Sequence, residues 1–275
     1  MFILLFALFI IPVSVEAKLR PIKSNKPMYE FGVGGGMGYV PDYPASDQGR
    51  LRSIAFPQFR YRGLRFRSDE EDNLKARLFL SPIYGIDLSG GGAFSAKSDK
   101  NSARKGMHDL DWLGEIGPRL YMFLVKTEKI WVRLFFPVRV AFSTDLQSAT
   151  YQGLVFAPAF NTRYYFDDSK FNSIIFNVTR THTTHQIQEF YFEVDPKYAT
   201  AERGAYDAKS GYLSTTAALA YIYERDNIGI YSGLALQSYK GAANAGSPLH
   251  RNDYNYAGFI GLSYLFYQSE ERGYQ

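Results

Sequence analysis

The last apolar stretch of the chain, residues 254–266, alternates with a period of two. One face carries Tyr254, Tyr256, Gly258, Ile260, Leu262, Tyr264 and Phe266; the other carries Asn255, Ala257, Phe259, Gly261, Ser263 and Leu265. Aromatics at both ends with aliphatics between are what a strand shows to lipid when it crosses two membrane interfaces. The constraint on folding is severe. In hydrocarbon every backbone N–H and C=O must be bonded internally, so strands cross a membrane only as a closed barrel.

The same pattern recurs upstream. Residues 131–142 place Val132, Leu134, Phe136, Val138, Val140 and Phe142 on one face, with Arg133 and Arg139 on the other. Residues 29–39 set Tyr29, Phe31, Val33, Met37 and Tyr39 against Gly32, Gly34, Gly36 and Gly38, glycines that would leave room inside. Residues 110–124 put Leu110, Trp112, Ile116, Leu120, Met122 and Leu124 outward and Asp111, Glu115 and Arg119 inward, and residues 154–160 and 228–236 alternate likewise. Apolar outside and charged inside is the order of a transmembrane barrel. A soluble sandwich or lipocalin-like barrel, the alternative, seldom sustains strands of this length with aromatic ends.

Composition agrees. Tyr 22, Phe 22 and Gly 24 favour strands over helix bundles, and a mean hydropathy of −0.24 excludes a polytopic helical membrane protein. Cysteine is absent, which removes disulfides, cysteine metal sites and thiol nucleophiles. The net charge is +4, but the basic residues are scattered, so nucleic acid is not expected as a partner. Residues 1–17 have an apolar core from Phe2 to Ile11, a breaker at Pro12 and a Val15-Glu16-Ala17 end, and read as a secretory signal cut after Ala17.

The connections decide the topology. Short ones fall at residues 68–73, 126–129, 167–170 and 225–227, and longer ones at 41–50, 91–108, 144–150, 183–209 and 240–252. Short turns on one rim and long loops on the other, with both termini on the short side, predict an all-β, up-and-down antiparallel transmembrane barrel of ten strands. A hairpin arm at residues 188–194 would raise the count to twelve. The organisation expected is a signal peptide at residues 1–17, a periplasmic segment at 18–28, the barrel at 29–266 and a periplasmic tail at 267–275.

Four groups of residues carry a family likeness. They are Pro41-Asp42-Tyr43-Pro44-Ala45-Ser46-Asp47 followed by Phe56-Pro57 and Tyr61-Arg62-Gly63; residues 104–111 with Glu115-Ile116-Gly117-Pro118; Tyr191-Phe192-x-Val194 with Tyr206-x-Ala208; and Ser247-Pro248-Leu249 with residues 261–266. In this order they resemble the MipA/OmpV family of Gram-negative outer-membrane proteins. Ala45 stands where that family usually has Gly, and Phe266, its usual terminal aromatic, is here followed by residues 267–275. The resemblance implies an outer-membrane barrel and, for the best-known branch, a scaffold that interacts with a lytic murein transglycosylase and a murein synthase. Other branches resemble porins or adhesins.

Chemistry is sparse. The motif residues of the long loops would either converge on a binding mouth or simply build turns and cap strand ends. The pair His182-x-x-His185 has ligand spacing but no adjacent third ligand, so no metal or other cofactor is assigned. Asp42, Asp109 and Asp111 with His108 or His182 would imitate the rim of an omptin-like protease, yet no catalytic motif accompanies them and no catalytic residue is assigned. Arg60, Arg62, Arg65, Arg67 and Arg77, facing Asp87, Asp111 and Glu115, would make either an internal ion network or a narrow anion-tolerant passage, with a bulge near Gly63 adjusting the phase.

The expected function is therefore a non-enzymatic barrel in contact with outer-membrane lipid and murein hydrolases or synthases, with a small-solute channel or an adhesin as the alternative. Val132, Phe136, Val140, Ile260 and Leu262 should touch lipid, and Ser263→Arg should be milder than Leu262→Arg if space permits. The polar tail 267–275 should hang free below a barrel that closes near Phe266, and together with residues 18–26 would supply most of any docking surface.

Overall fold

The computed structural model describes residues 23–63, 66–68, 75–76, 79–81 and 83–274. The signal peptide expected at residues 1–17 lies outside them. In chain order the strands are β1 (Lys23–Pro27), β2 (Tyr29–Pro41), β3 (Gly49–Arg62), β4 (Phe66–Ser68), β5 (Lys75–Ala76), β6 (Phe79–Leu80), β7 (Tyr84–Ala93), β8 (Trp112–Lys126), β9 (Ile130–Thr144), β10 (Ala149–Phe156), β11 (Ala159–Tyr165), β12 (Asn172–Thr183), β13 (Gly211–Arg225), β14 (Ile228–Ser238), β15 (Tyr254–Gln268) and β16 (Arg272–Tyr274). An α-helix, α1 (His185–Phe192), interrupts the loop between β12 and β13. That helix replaces the hairpin arm considered at residues 188–194.

Every main-sheet pairing is antiparallel, and the path runs β5-β4-β3-β2-β15-β14-β13-β12-β10-β9-β8-β7-β6, with β11 between β12 and β9. Its two ends, β5 and β6, are separated in the chain only by residues 77–78. Three Cα steps span at most about 11 Å, so the sheet returns to itself and is a barrel. Ten long staves stand where the alternation places them, β10 and β11 forming one stave broken at Ala157-Pro158. Pro158 has no N–H to give to a ladder, and β9 changes partner from β11 to β10 across Pro137. The extra short strands fall between β3 and β7. At Gly63 the chain does not bulge but reverses, with Tyr61 opposite Ser68 and Arg62 opposite Arg67.

The faces are as the alternation requires. Val140, Ile260 and Leu262 are exposed on the outside, and Val132 and Phe136 share that face, while Arg133, Phe135 and Ala141 are buried inside. The inward glycines of β2 do something other than leave room. A Cβ on Gly36 would lie 2.7 Å from the Ile260 carbonyl oxygen, so Gly32, Gly36 and Gly38 let β2 and β15 approach closely, while Gly34 makes room for the Phe56 ring.

At the short-turn rim β15 does not stop at Phe266. A bulge between Leu265 and Tyr267 carries it on to Gln268, with Tyr267 opposite Phe31. The Ser269 N–H then donates to the Tyr29 carbonyl at 3.0 Å, and β16 pairs antiparallel with β1. The tail is thus not free: the two terminal segments form a small sheet of their own.

Candidate functional site

The apolar core of the molecule lies in the long-loop rim rather than in the barrel. Tyr43, Leu110, Tyr191, Phe192 and Leu249 come from four different loops and pack with Leu113, Ala141 and Val155 on the upper inner wall. Leu110, which the alternation set outward, belongs to this cluster because the strand begins only at Trp112. Apolar side chains that cannot face lipid and have no place in a charged lumen are buried here, against one another.

Polar bonds tie the same loops together. Tyr43 Oη donates to the Leu249 carbonyl at 2.8 Å, Ser247 Oγ to the Phe192 carbonyl at 2.6 Å, and Arg104 Nη1 to the Tyr191 carbonyl at 3.1 Å. Asn244 Nδ2 donates to Gln188 Oε1 and to the Lys209 carbonyl, both at 2.8 Å. Arg203 donates to the carbonyls of Ala103 and Lys105 across loops. Burial lowers the Arg104 pKa to about 10 and pushes the Tyr43 phenol up to about 12. The loops form a packed cap, so the motif residues interlock and turn the chain instead of lining an open mouth. Ser46 shows this locally, giving its hydroxyl to the Gln48 carbonyl and accepting from the Gln48 N–H. The loop at 145–148 caps only its own turn through Asp145.

Ala45, the residue in the usual glycine place, has φ of +62° and is fully buried in the cap. The left-handed backbone there explains why glycine suits the position.

The lumen is crossed by ion pairs at the other end. Arg60 Nη2 reaches Glu224 Oε1 at 2.6 Å, from β3 to β13, strands four places apart in the sheet, so the pair bridges the interior. Arg62 is held by Glu30 at 2.6 Å, and Tyr231 donates to Glu224 at 2.7 Å. Glu30 and Glu224 were not singled out from sequence, although the period-two phase of their strands turns both inward. Asp87 does not face these arginines. It takes a two-point contact from Arg119 on the neighbouring strand at 2.9 and 2.7 Å, and Glu115 pairs with Arg139 at 2.9 Å. Asp111 is exposed above the strand start. Arg65 and Arg77 lie outside the described residues, as does the Arg67 side chain.

Between cap and network is a cavity of about 700 Å³, lined among others by Arg119, Arg133, Arg139 and Arg163 with Asn161 and Asn177. Arg133 contacts Asn161 Oδ1 at 2.9 Å, and Arg163 contacts Ser173 Oγ at 3.1 Å.

The rim acids and imidazoles do not assemble as a protease would need. Asp42 is buried and gripped by Arg50 at 2.7 Å and by Asn101 at 3.0 Å, and Asp109 by Lys97 at 2.7 Å. His108 packs on Tyr198, and His182 takes a bond from Arg180 at 3.3 Å. Among the described residues the imidazole–carboxylate contacts are instead His185–Glu189 at 3.4 Å and His250–Asp253 at 3.3 Å. His182 and His185 do not act as a pair: His185 opens α1 and joins Glu193 and Asp207, their ligand atoms all within 4.8 Å of one another.

A family model described as MltA-interacting protein MipA matches residues 33–266. No curated protein matches the chain. Among solved structures, a NanC porin is 12% identical, with 85% of this chain and 98% of that one covered and a TM-score of 0.41. The COG4313 outer-membrane channel from Pseudomonas putida F1 is 10% identical, over 89% and 97%, with a TM-score of 0.48. The Escherichia coli outer-membrane protease OmpT is 11% identical, over 86% and 96%, with a TM-score of 0.32.

Proposed function

We propose, from the premise that this chain belongs to the MipA family and is an outer-membrane β-barrel protein, that it works as a non-enzymatic scaffold rather than as an open pore. The observations that carry the reading are the packed loop cap above and the Arg60–Glu224 bridge across the lumen below. A barrel obstructed in this way offers partners its rims. Its periplasmic turns are too short to hold much, residues 126–130 and 225–228 being typical. The β1–β16 sheet adds surface at that rim, with Asn25, Lys26, Glu270, Glu271 and Arg272 exposed.

The family's description names an interaction with MltA, and we assign the partner accordingly: a murein-processing enzyme, hydrolase or synthase, docked at the periplasmic rim. Residues 1–17 act as a Sec-type signal, and the barrel comprises residues 29–268 with terminal segments at 18–28 and 269–275.

A second reading, a narrow small-solute channel, is favoured by the arginine-lined cavity. Planar-bilayer recording separates the two. Silence, with a murein transglycosylase retained on the immobilised barrel, supports the scaffold; well-resolved ion-selective steps from the intact protein refute it.

A further inference from the structure

We propose that His185, Glu193 and Asp207 form a divalent transition-metal site of the zinc class on the long-loop rim, tying α1 to the strand-like segment at Tyr206.

Two elements bring the ligands together. Positions 185, 189 and 193 are four apart on α1 and its C-cap, so they share one helix face. Asp207 arrives from elsewhere: Val194 and Tyr206 exchange both backbone bonds at 3.0 Å, an antiparallel bridge that sets residue 207 beside residue 193. The ligand atoms of His185, Glu193 and Asp207 lie within 4.8 Å of one another. In a tetrahedral site with bonds of about 2.0–2.1 Å, ligands are roughly 3.3 Å apart. His185 and Asp207 are exposed side chains, free to make the small rotations that close the difference.

A second observation asks for a cation here. Glu193 is half-buried and its carboxylate takes the Ala208 N–H, but its Oε2 atom is shut off from solvent and has no donor of its own. Enclosed carboxylate oxygens are normally paired, because the ion has lost its water. The charged groups facing Glu193 are Glu189 and Asp207, both negative, and the His185 imidazole. Among the described residues no Lys or Arg forms an ion pair with Glu189, Glu193 or Asp207. A metal ion would satisfy the orphan oxygen and cancel the repulsion. One imidazole with carboxylates selects zinc and its neighbours over calcium or magnesium, which prefer oxygen alone. With His185 and Asp207 open to solvent, water completes the coordination.

The test uses the tag-free refolded chain in detergent, titrated with Zn²⁺ against a chromophoric chelator. One Zn²⁺ per chain is expected. His185→Ala and Asp207→Asn should each weaken binding by about tenfold or more, while His182→Ala, outside the site, should change it less than about twofold. Both informative variants alter exposed residues, and heat-modifiable migration confirms that each barrel is folded. Absence of stoichiometric binding, undiminished binding by His185→Ala, an equal loss in His182→Ala, or calcium competing as well as zinc would each overturn the proposal.

Discussion

A lipid-facing charge and a lumen-facing charge should differ sharply in cost, and the structure identifies where to place them. Leu262 sits near the middle of β15, opposite Ile230 and Gly35, with 59% of its surface exposed on the outer face. An arginine there meets hydrocarbon near the midplane, at a cost of about 2–4 kcal/mol. At 1.36 kcal/mol per decade, the folding equilibrium falls by about 30- to 900-fold. The adjacent Ser263 is not a mild counterpart. It is buried against Tyr231, with its hydroxyl 3.2 Å from the phenol, so the space that Ser263→Arg would need is filled. Thr179 is the better lumen position, because it lines the arginine-rich cavity. Thr179→Glu gives up a bond from Asn177, worth about 1 kcal/mol, and gains attraction to the lining arginines. Its net cost should stay within about 1 kcal/mol. Urea titration of the barrel in phospholipid vesicles, followed by tryptophan fluorescence and heat-modifiable migration, reads both variants. If Thr179→Glu destabilises as much as Leu262→Arg, or if Leu262→Arg costs less than about 1 kcal/mol, the assignment of outside and inside is wrong.

Three further outcomes follow from the rims. At Ala45, glycine relieves about 1–2 kcal/mol of left-handed strain but loses a buried methyl worth about 0.8 and adds about 0.4–1 of unfolded-chain entropy, so Ala45→Gly should lie within about 1 kcal/mol of the parent. Ala45→Val, β-branched at the same φ and without space, should expose the cap to protease; equal protease resistance of the two variants would count against the packed cap. Deleting residues 270–275 should leave a heat-modifiable barrel. Deletion from 267 removes the Tyr267 and Gln268 pairings and the Ser269 bond and should lower the urea midpoint, and identical midpoints for the two truncations would show that the bulged end of β15 contributes nothing. Asp109 is held below the usual carboxylate range, first by Lys97 and then by the Ser98 N–H. A depressed folded pKa means that its stabilisation is present above the unfolded value, about 3.9, and is lost as pH falls through the folded one. Hydrogen exchange in the 97–109 loop should therefore accelerate below about pH 4 in the parent but not in Lys97→Met; the contribution is small because Asp109 is partly solvated.

How much of this was legible in the sequence depends on whether one residue's environment repeats along the chain. Strand faces repeat every two residues, so Val140, Ile260, Leu262, Arg133 and Arg139 could be placed from sequence alone. The turns at 167–170 and 225–227 were legible for a different reason: they are rich in Asp, Asn and Ser, turn-forming residues, and Asp226 tolerates the positive φ it adopts. The cap follows no period. Tyr43, Leu110, Tyr191 and Leu249 are brought together from loops far apart in sequence, and extending the alternation of β8 two residues too far is what misplaced Leu110. Residues 188–194 failed similarly, since a short aromatic-rich run fits a buried strand or a buried helix equally well. The partners of Arg60 and Asp207 depend on closure and on a loop bridge, and no local pattern records either.

The division of the molecule into a charged interior and an apolar cap bears on how a solute could ever cross. The Arg60–Glu224 bridge is largely enclosed, so salt screens it less than a surface pair and bulk ionic strength alone would not open that end. Removing one partner would leave the other with weaker contacts, Arg60 with Glu30 at 3.8 Å or Glu224 with Tyr231 at 2.7 Å, which favours rearrangement over a stable hole. The cap is held mainly by apolar contacts and by bonds to backbone carbonyls, with the Asp42–Arg50 ion pair beside them. Opening it means exposing Phe192, Leu249 and their neighbours to water together, because these side chains pack on one another across loops. Two obstructions of different origin, one mainly apolar and one ionic, are not released together by salt alone. Conduction, if it occurred, would require a partner that unseats the cap as well as a break in the lower network, so the rims rather than the lumen are where this barrel meets the rest of the envelope.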